Sequence, residues 1–321
     1  MLRALGLGDF LTGVPALRAL RRARPDHEIL LATPAALAPL AEPAGVCDRL
    51  LDVSGLVPVP WTGTAPELAV NLHGRGPQSH RILDGLGPGT LVAFGSEEAG
   101  HTGPGWLEEE HETRRWCRLL EESLGIPTDP LDLGLPPPRV PAPAPGAVVI
   151  HAGAAYPSRR WPPARFAGVA RAVVQQGYDV VLTGGPDETA LAEQVRELAG
   201  LPRHTVLAGR TSLDRLAAQV AAAPLVVCGD TGVAHLASAF GTPSVTLFGP
   251  VPPSRWGPPP DGPHEVIWHG AQERPGDPWG AKVDSALLLV EVAEVLDRSF
   301  ELLDAGLSVP GAARRTTPGS V

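Results

Sequence analysis

At positions 228–250 the chain reads CGDTGVAHLASAFGTPSVTLFGP. An apolar run meets Asp230-Thr231-Gly232 there, and His235 follows five residues after the aspartate. A carboxylate at a strand end can accept sugar hydroxyls, Gly232 lets a ligand approach the backbone, and amides at a helix start can meet a phosphate. His235 falls one turn further along on the same helix face. Ordinary capping accounts for the Asp but not for the whole string. The next strand ends in Phe-Gly-Pro, and PSRWGP at 253–258 places a rigid loop over the same edge.

Other polar clusters have the same character. HAGAAYPSRRWP follows the strand that ends at His151, and Gly153, Ala154 and Ala155 leave backbone N–H groups accessible. Arg159 and Arg160 suit a diphosphate clamp, because guanidinium forks match phosphate oxygens. The plainer alternative pairs one of them with a surface carboxylate and uses Trp161 as a helix anchor. In LTGGPDETALAEQV, Glu188 stands in the first turn of a helix. It can accept both hydroxyls of a ribose there, or simply complement the helix dipole.

In the N-terminal half, Gly6-Leu7-Gly8-Asp9 looks like a dinucleotide loop, but the spacing to Gly13 does not fit GxGxxG. Asp9 would also aim a carboxylate where a phosphate should sit. A general base at a glycine turn is the better functional reading; the structural one makes Asp9 an N-cap with Thr12 completing the turn. NLHGRGPQSHRIL follows another strand, and its Asn71, His73 and Arg75 offer donors for acceptor hydroxyls or phosphates, or form a plain polar loop.

These clusters need strand ends to hold them. Short β-branched runs predict strands over 28–32, 50–53, 68–72 and 90–94, then 147–151, 179–183, 205–207, 225–228 and 244–248. Ala/Leu/Arg-rich stretches predict helices over 14–23, 111–124, 163–176, 188–199 and 212–222. Apolar strands separated by helices indicate parallel sheets with right-handed crossovers. LPPPRVPAPAPG at 135–146 carries six prolines and reads as a stiff linker. The expectation is α/β: two Rossmann-like domains with parallel sheets facing across a cleft. The N-terminal domain is placed at 1–135, the linker at 136–146, the C-terminal domain at 147–300 and a flexible tail at 301–321. Only Met1 to Leu5 precede the first loop, so the first strand is either very short or begins upstream.

Composition narrows the partners. The net charge of -9, with 35 acidic against 26 basic residues, argues against a nucleic-acid or anionic-membrane surface. Lys282 is the one lysine, and with 37 Pro and 37 Gly this reflects GC-rich coding more than function. Cys47, Cys117 and Cys228 are odd in number and without CxxC, which fits a reducing cytoplasm and no zinc site. Neither a signal peptide nor an apolar run of about 18 residues is visible, so peripheral contact with a membrane-borne substrate is possible but insertion is not.

DTGVAHLASAFGTPSVTLFGP with PSRWGP, the early GLGDFLTGVPALRALR and the His-Ala-Gly…Arg-Arg-Trp loop resemble glycosyltransferase family 9, the ADP-heptose:lipopolysaccharide heptosyltransferases and their relatives. The likeness runs in order from the first residues to about Trp256. It implies a GT-B fold, with the acceptor in the N-terminal domain and the nucleotide sugar in the C-terminal one. It also implies inverting transfer without a catalytic metal or other cofactor, and no Asp-x-Asp occurs in the chain.

Carried over by position, Asp9 takes the place of the base and Glu188 that of the ribose-binding acid. Asp230, Thr231, Gly232 and His235 match the donor-sugar and phosphate motif. Arg159 stands where the heptosyltransferases have a lysine, and Ala154-Ala155 lack the hydroxyls of a Thr-Thr pair. The resemblance therefore implies transfer of a sugar, heptose from ADP-heptose in the first instance, to a cell-envelope glycan, glycolipid or natural product. A sugar-nucleotide epimerase or hydrolase on the same fold would share the site, as would a catalytically silent nucleotide-sugar-binding module. A pure binder has no use for a carboxylate at position 9.

Overall fold

A computed structural model describes residues 1–307. The chain divides into two compact units, Met1–Pro136 and the part that begins at Pro137.

The first unit runs α1 (Leu7–Ala23), β1 (Leu30–Thr33), α2 (Ala38–Ala44), β2 (Arg49–Asp52), β3 (Leu68–Val70), α3 (Gln78–Asp84), β4 (Thr90–Val92) and α4 (Glu112–Leu124). β1 pairs in parallel with β2, and β3 with β4. Residues ahead of α1 join the two pairs, because Leu2 bridges Ala32 on one side and Asn71 on the other. The Leu2 N–H donates to the Val70 carbonyl at 3.0 Å and the Arg3 N–H to that of Ala32 at 2.9 Å. The lateral order is therefore β2, β1, the 1–5 segment, β3, β4. The extended backbone of this central segment ends at Gly6, the N-cap of α1.

From this central segment the chain moves to one side for β1 and β2, then to the other for β3 and β4. The order reverses between the central segment and β3, and α/β sheets take ligands beyond the carboxyl ends of strands at such a reversal. α1 and α4 pack together. They do so because Phe10, Val14 and Leu17 on one helix, and Trp116, Leu119 and Leu120 on the other, recur at helical spacing and are buried.

The second unit holds β5 (Val148–His151), α5 (Pro163–Gln175), β6 (Val180–Thr183), α6 (Thr189–Ala199), α7 (Leu213–Ala221), β7 (Val226–Gly229), α8 (Gly232–Phe240), β8 (Ser244–Leu247), α9 (Pro253–Trp256), β9 (His264–Ile267), α10 (Ser285–Leu289) and α11 (Val292–Leu307). Its sheet has the order β6-β5-β7-β8-β9, and every pair is parallel. Every residue of β5 to β8 is buried. Helices cover both faces, so the strands read as unbroken apolar runs such as Val-Val-Ile and Val-Val-Leu. Val148, Ile150, Phe166, Val173, Leu182, Val227 and Val245 form the core. The order reverses here between β5 and β7, again marking a ligand position.

Three expectations change. The predicted strand at 205–207 is a 3-10 turn, Arg203–Thr205, followed by one bridge from Val206 to Leu182. The N–H groups of Leu207 and Ala208 both converge on the Leu182 carbonyl, at 2.8 and 3.1 Å, so no ladder continues. β9, whose half-buried His264 and Glu265 hide a strand pattern, was not predicted. The tail expected from 301 is helical as far as Leu307, because α11 packs on α5 and β8; the rest of it, 308–321, lies outside the described residues. Within the proline-rich stretch, buried Gln219 of α7 clamps Ala144, accepting its N–H and donating to its carbonyl, both at 2.8 Å. No helix among the described residues is long and apolar enough to cross a membrane.

Candidate active site

In the first unit, Asp9 occupies the third position of α1, half-buried beyond the carboxyl end of the central segment. Gly6, not Asp9, is the N-cap. The N–H groups of Gly6 and of Asp9 itself face the carboxylate. Removal from water is the largest influence and holds the Asp9 carboxyl above the ordinary range; the Arg3 guanidinium opposes this and Glu112 reinforces it.

Arg3 is fully buried. Its Nε donates to the Asp9 carbonyl, Nη1 to that of Leu72, and Nη2 to Thr12 Oγ1 at 3.0 Å and Glu112 Oε1 at 3.2 Å. Gly13 is glycine because a Cβ there would lie 2.8 Å from Arg3 Cδ and Nε. Glu112 is held in turn by Arg115 Nη1 and by Trp116 Nε1 at 2.8 Å. The Arg3 guanidinium lies over the Trp116 ring, 4.8 Å from its centroid.

The loop after β3 separates its three expected residues. His73 Nδ1 accepts the Ala4 N–H at 3.2 Å, which leaves the ring proton on Nε2. Burial, and then the charge of Arg3, lower its pKa to about 4, so the ring is neutral. Arg75 is exposed. Asn71 is withdrawn from the acceptor-binding set. It is fully buried, donates through Nδ2 to Ser79 Oγ at 2.9 Å and His80 Nδ1 at 3.1 Å, and accepts the His73 N–H at 3.0 Å. Its amide shapes the loop.

In the second unit the clusters lie around the reversal between β5 and β7. The Arg159 carbonyl passes 3.1 Å from where a Cβ on Gly229 would stand. This close crossing brings Arg159 Nη1 within 3.5 Å of Asp230 Oδ2. Arg159 Nε is buried without a partner. Arg160 differs: its Nε donates to the Ala154 carbonyl at 2.8 Å and closes its own loop. That loop is tied down by Ser158, whose N–H donates to Gly280 and whose carbonyl accepts from Asp284, both at 3.1 Å. Trp161 is an anchor, buried against Phe166 and donating to the Val290 carbonyl at 3.2 Å.

Capping does not explain Asp230. Thr231 is the N-cap of α8, its Oγ1 accepting the Val233 N–H at 3.2 Å. Asp230 is buried and its own N–H donates to the Leu247 carbonyl at 3.1 Å. Gly232 begins α8, and His235, half-buried, meets Trp256 of α9 edge-on with centroids 5.9 Å apart.

Glu188 is the N-cap residue of α6, ending a 3-10 turn, Pro186–Glu188. Its Oε2 accepts the Gly185 N–H at 2.8 Å and lies 3.7 Å from His151 Nε2. A side chain on Gly153 would collide with this carboxylate. Gly153 is thus small to admit Glu188, a reason the sequence does not show. His151 Nδ1 lies 3.1 Å from Thr183 Oγ1, joining the ends of β5 and β6. Burial lowers the His151 pKa, although Glu188 pulls the other way.

Arg3, Glu112 and His151 escaped the sequence reading. A lone Arg in an apolar stretch, an acid in a first helical turn and a His at a strand end carry no spacing signal. Only the fold brings their partners together. Among the described residues no group of three or more His, Cys, Asp or Glu is placed to hold a metal ion.

A sequence profile described as glycosyltransferase family 9 (heptosyltransferase) matches residues 107–275. The chain belongs to glycosyltransferase family 9. It is 36% identical over 113 residues to lipopolysaccharide heptosyltransferase 3 of Escherichia coli, covering 35% of this chain and 33% of that protein. It is 31% identical over 149 residues to lipopolysaccharide heptosyltransferase 1 of Pseudomonas aeruginosa, covering 45% and 41%. The matched stretch thus spans about a third of the first of these relatives and two fifths of the second. The fold likeness is longer: E. coli ADP-heptose heptosyltransferase II superposes with a TM-score of 0.74 at 20% identity, over 95% of this chain and 98% of that one. A family 9 glycosyltransferase from Veillonella parvula gives 0.74 over 95% and 96%, also at 20% identity. The two α/β units are those of the GT-B fold.

Proposed function

We propose that this family 9 protein is an inverting, metal-independent glycosyltransferase. It moves a sugar, heptose from ADP-heptose being the leading donor, to a hydroxyl of a cell-envelope glycan or another acceptor. The first unit takes the acceptor and the second the nucleotide sugar. The donor reading is supported by relatives: one E. coli heptosyltransferase was solved with ADP and also with ADP-2-deoxy-2-fluoro heptose. The chain works in the cytoplasm, in peripheral contact with the membrane when the acceptor is lipid-borne.

The observation that carries the reading is Asp9, a carboxylate withdrawn from water at the sheet reversal of the first unit, with a raised pKa. A base needs such a carboxyl, because a higher proton affinity brings it closer to the hydroxyl it must deprotonate. In the reaction Asp9 takes the acceptor proton, and the acceptor oxygen bonds to the anomeric carbon while the nucleoside diphosphate leaves from the opposite side. His73, neutral and protonated on Nε2, and Arg75 hold acceptor oxygens. Arg159, Arg160 and the first amides of α8 meet the charge that develops on the diphosphate. Asp230, Thr231, Gly232 and His235 receive the sugar and phosphate, and Glu188 the ribose.

Asp9→Asn tests this. Transfer should fall below about a tenth of the wild-type kcat, since a general base typically contributes about 10²–10⁴-fold, while ADP binds as before. Retained turnover would assign the base elsewhere.

A further inference from the structure

We propose that Arg3 and Glu112 are positioning residues for the reaction: a buried ion pair that locks the Asp9 turn to the His73 loop and biases the charge on both. This rests on the reading of Asp9 as the base. Arg3 reaches Asp9 through its carbonyl, the His73 loop through the Leu72 carbonyl, and α4 through Glu112. A full charge at a fully buried position is costly unless every donor is matched, and an apolar residue would fill the space beside Trp116. The chain keeps the arginine and makes room for it with Gly13.

The charges facing Asp9 come from two elements: Arg3 on the central segment and Glu112 on α4, the latter paired also with Arg115. Arg3 favours the ionised Asp9, and Glu112 opposes it. Arg3 also disfavours a proton on Nδ1 of His73, which already accepts the Ala4 N–H. One guanidinium therefore holds the base ready to accept a proton and the neighbouring imidazole neutral, with Nε2 as a donor.

The titration needs no acceptor. Asp9 would be titrated by carbon NMR of protein labelled at the aspartate carboxyls, its resonance identified by its loss in Asp9→Asn. Arg3→Gln should raise the Asp9 pKa and Glu112→Gln should lower it, because an opposite charge nearby favours the ionised carboxylate and a like charge opposes it. Shifts of the same sign, or none, in variants that melt cooperatively would overturn the proposal. Arg3→Lys keeps the charge without the fork, so it decides the matter if Arg3→Gln does not fold. Its Asp9 should titrate near wild type, while ADP release from ADP-heptose, with heptose-free lipopolysaccharide or with water, drops on the order of tenfold or more through misplacement. Wild-type turnover in Arg3→Lys would remove the positioning role. If the titrations behave as expected but Asp9→Asn remains active, the pair is as described and the assignment of the base is what fails.

Discussion

Asp230→Asn and Thr231→Ala should separate two roles that adjacent residues divide. Thr231 caps α8 through Val233, whereas Asp230 lies 3.5 Å from Arg159. Losing an N-cap costs about 1 kcal/mol, which lowers Tm by about 2–4 °C for a unit of this size. Thr231→Ala should show that shift. In Asp230→Asn the shape is kept and one charge is removed. The gross attraction to Arg159 at 3.5 Å is about 5 kcal/mol at an effective dielectric of about 20. The Asp230 side chain is only 8% exposed, so its neutralisation also removes that carboxylate's desolvation cost, and Arg159, 25% exposed, keeps water on its guanidinium and is not left as a fully buried unpaired charge. Stability should therefore change little. Sugar binding has no such offset, because an amide cannot replace a carboxylate that accepts charged hydrogen bonds. The kcat/KM for ADP-heptose should fall tenfold or more, at least about 1.4 kcal/mol of transition-state binding. Differential scanning fluorimetry, calorimetric ADP titration and turnover per folded molecule measure the three quantities. An Asp230→Asn protein that melts as low as Thr231→Ala and turns over normally would refute the reasoning.

Arg159→Ala should weaken ADP by about 1.5–3 kcal/mol, the worth of a charge-assisted hydrogen bond, with a smaller loss in Arg160→Ala, whose Nε already serves its own loop; equal affinities in wild type and both variants, by calorimetry, would place the clamp elsewhere. Activity should survive excess EDTA, and loss restored by a divalent ion would overturn the electrostatic scheme. The fold should weaken as pH falls from about 6.5 to about 4, because His73 and His264 have folded pKa values of about 4, below the ordinary histidine value of about 6.5. The unfolded chain then binds protons that the folded chain refuses. Asp9, whose pKa is raised, acts in the opposite sense. Urea melts across that range should flatten in a His73→Gln, His264→Gln double variant.

The alternation of apolar strands and amphipathic helices is local, and the sequence alone determined it along with the proline-rich seam and the Asp-Thr-Gly-x-x-His segment. Those signals depend on neighbours a few residues apart, which is why eight of the nine predicted strands overlap observed ones. Tertiary structure decided the rest. Asp230 can be read as the cap of α8 until the backbone at Thr231 takes the N-cap conformation. Asn71 reads as an exposed donor, but Ser79 and His80 of α3 bury it. Gly13 and Gly153 are glycine because Arg3 and Glu188, distant in sequence, occupy the space of a side chain. Arg3 itself gains meaning only when β3 and α4 bring Leu72 and Glu112 to it, across 69 and 109 residues of chain. A buried charge needs partners on several sides, and local spacing carries no record of partners that only folding supplies.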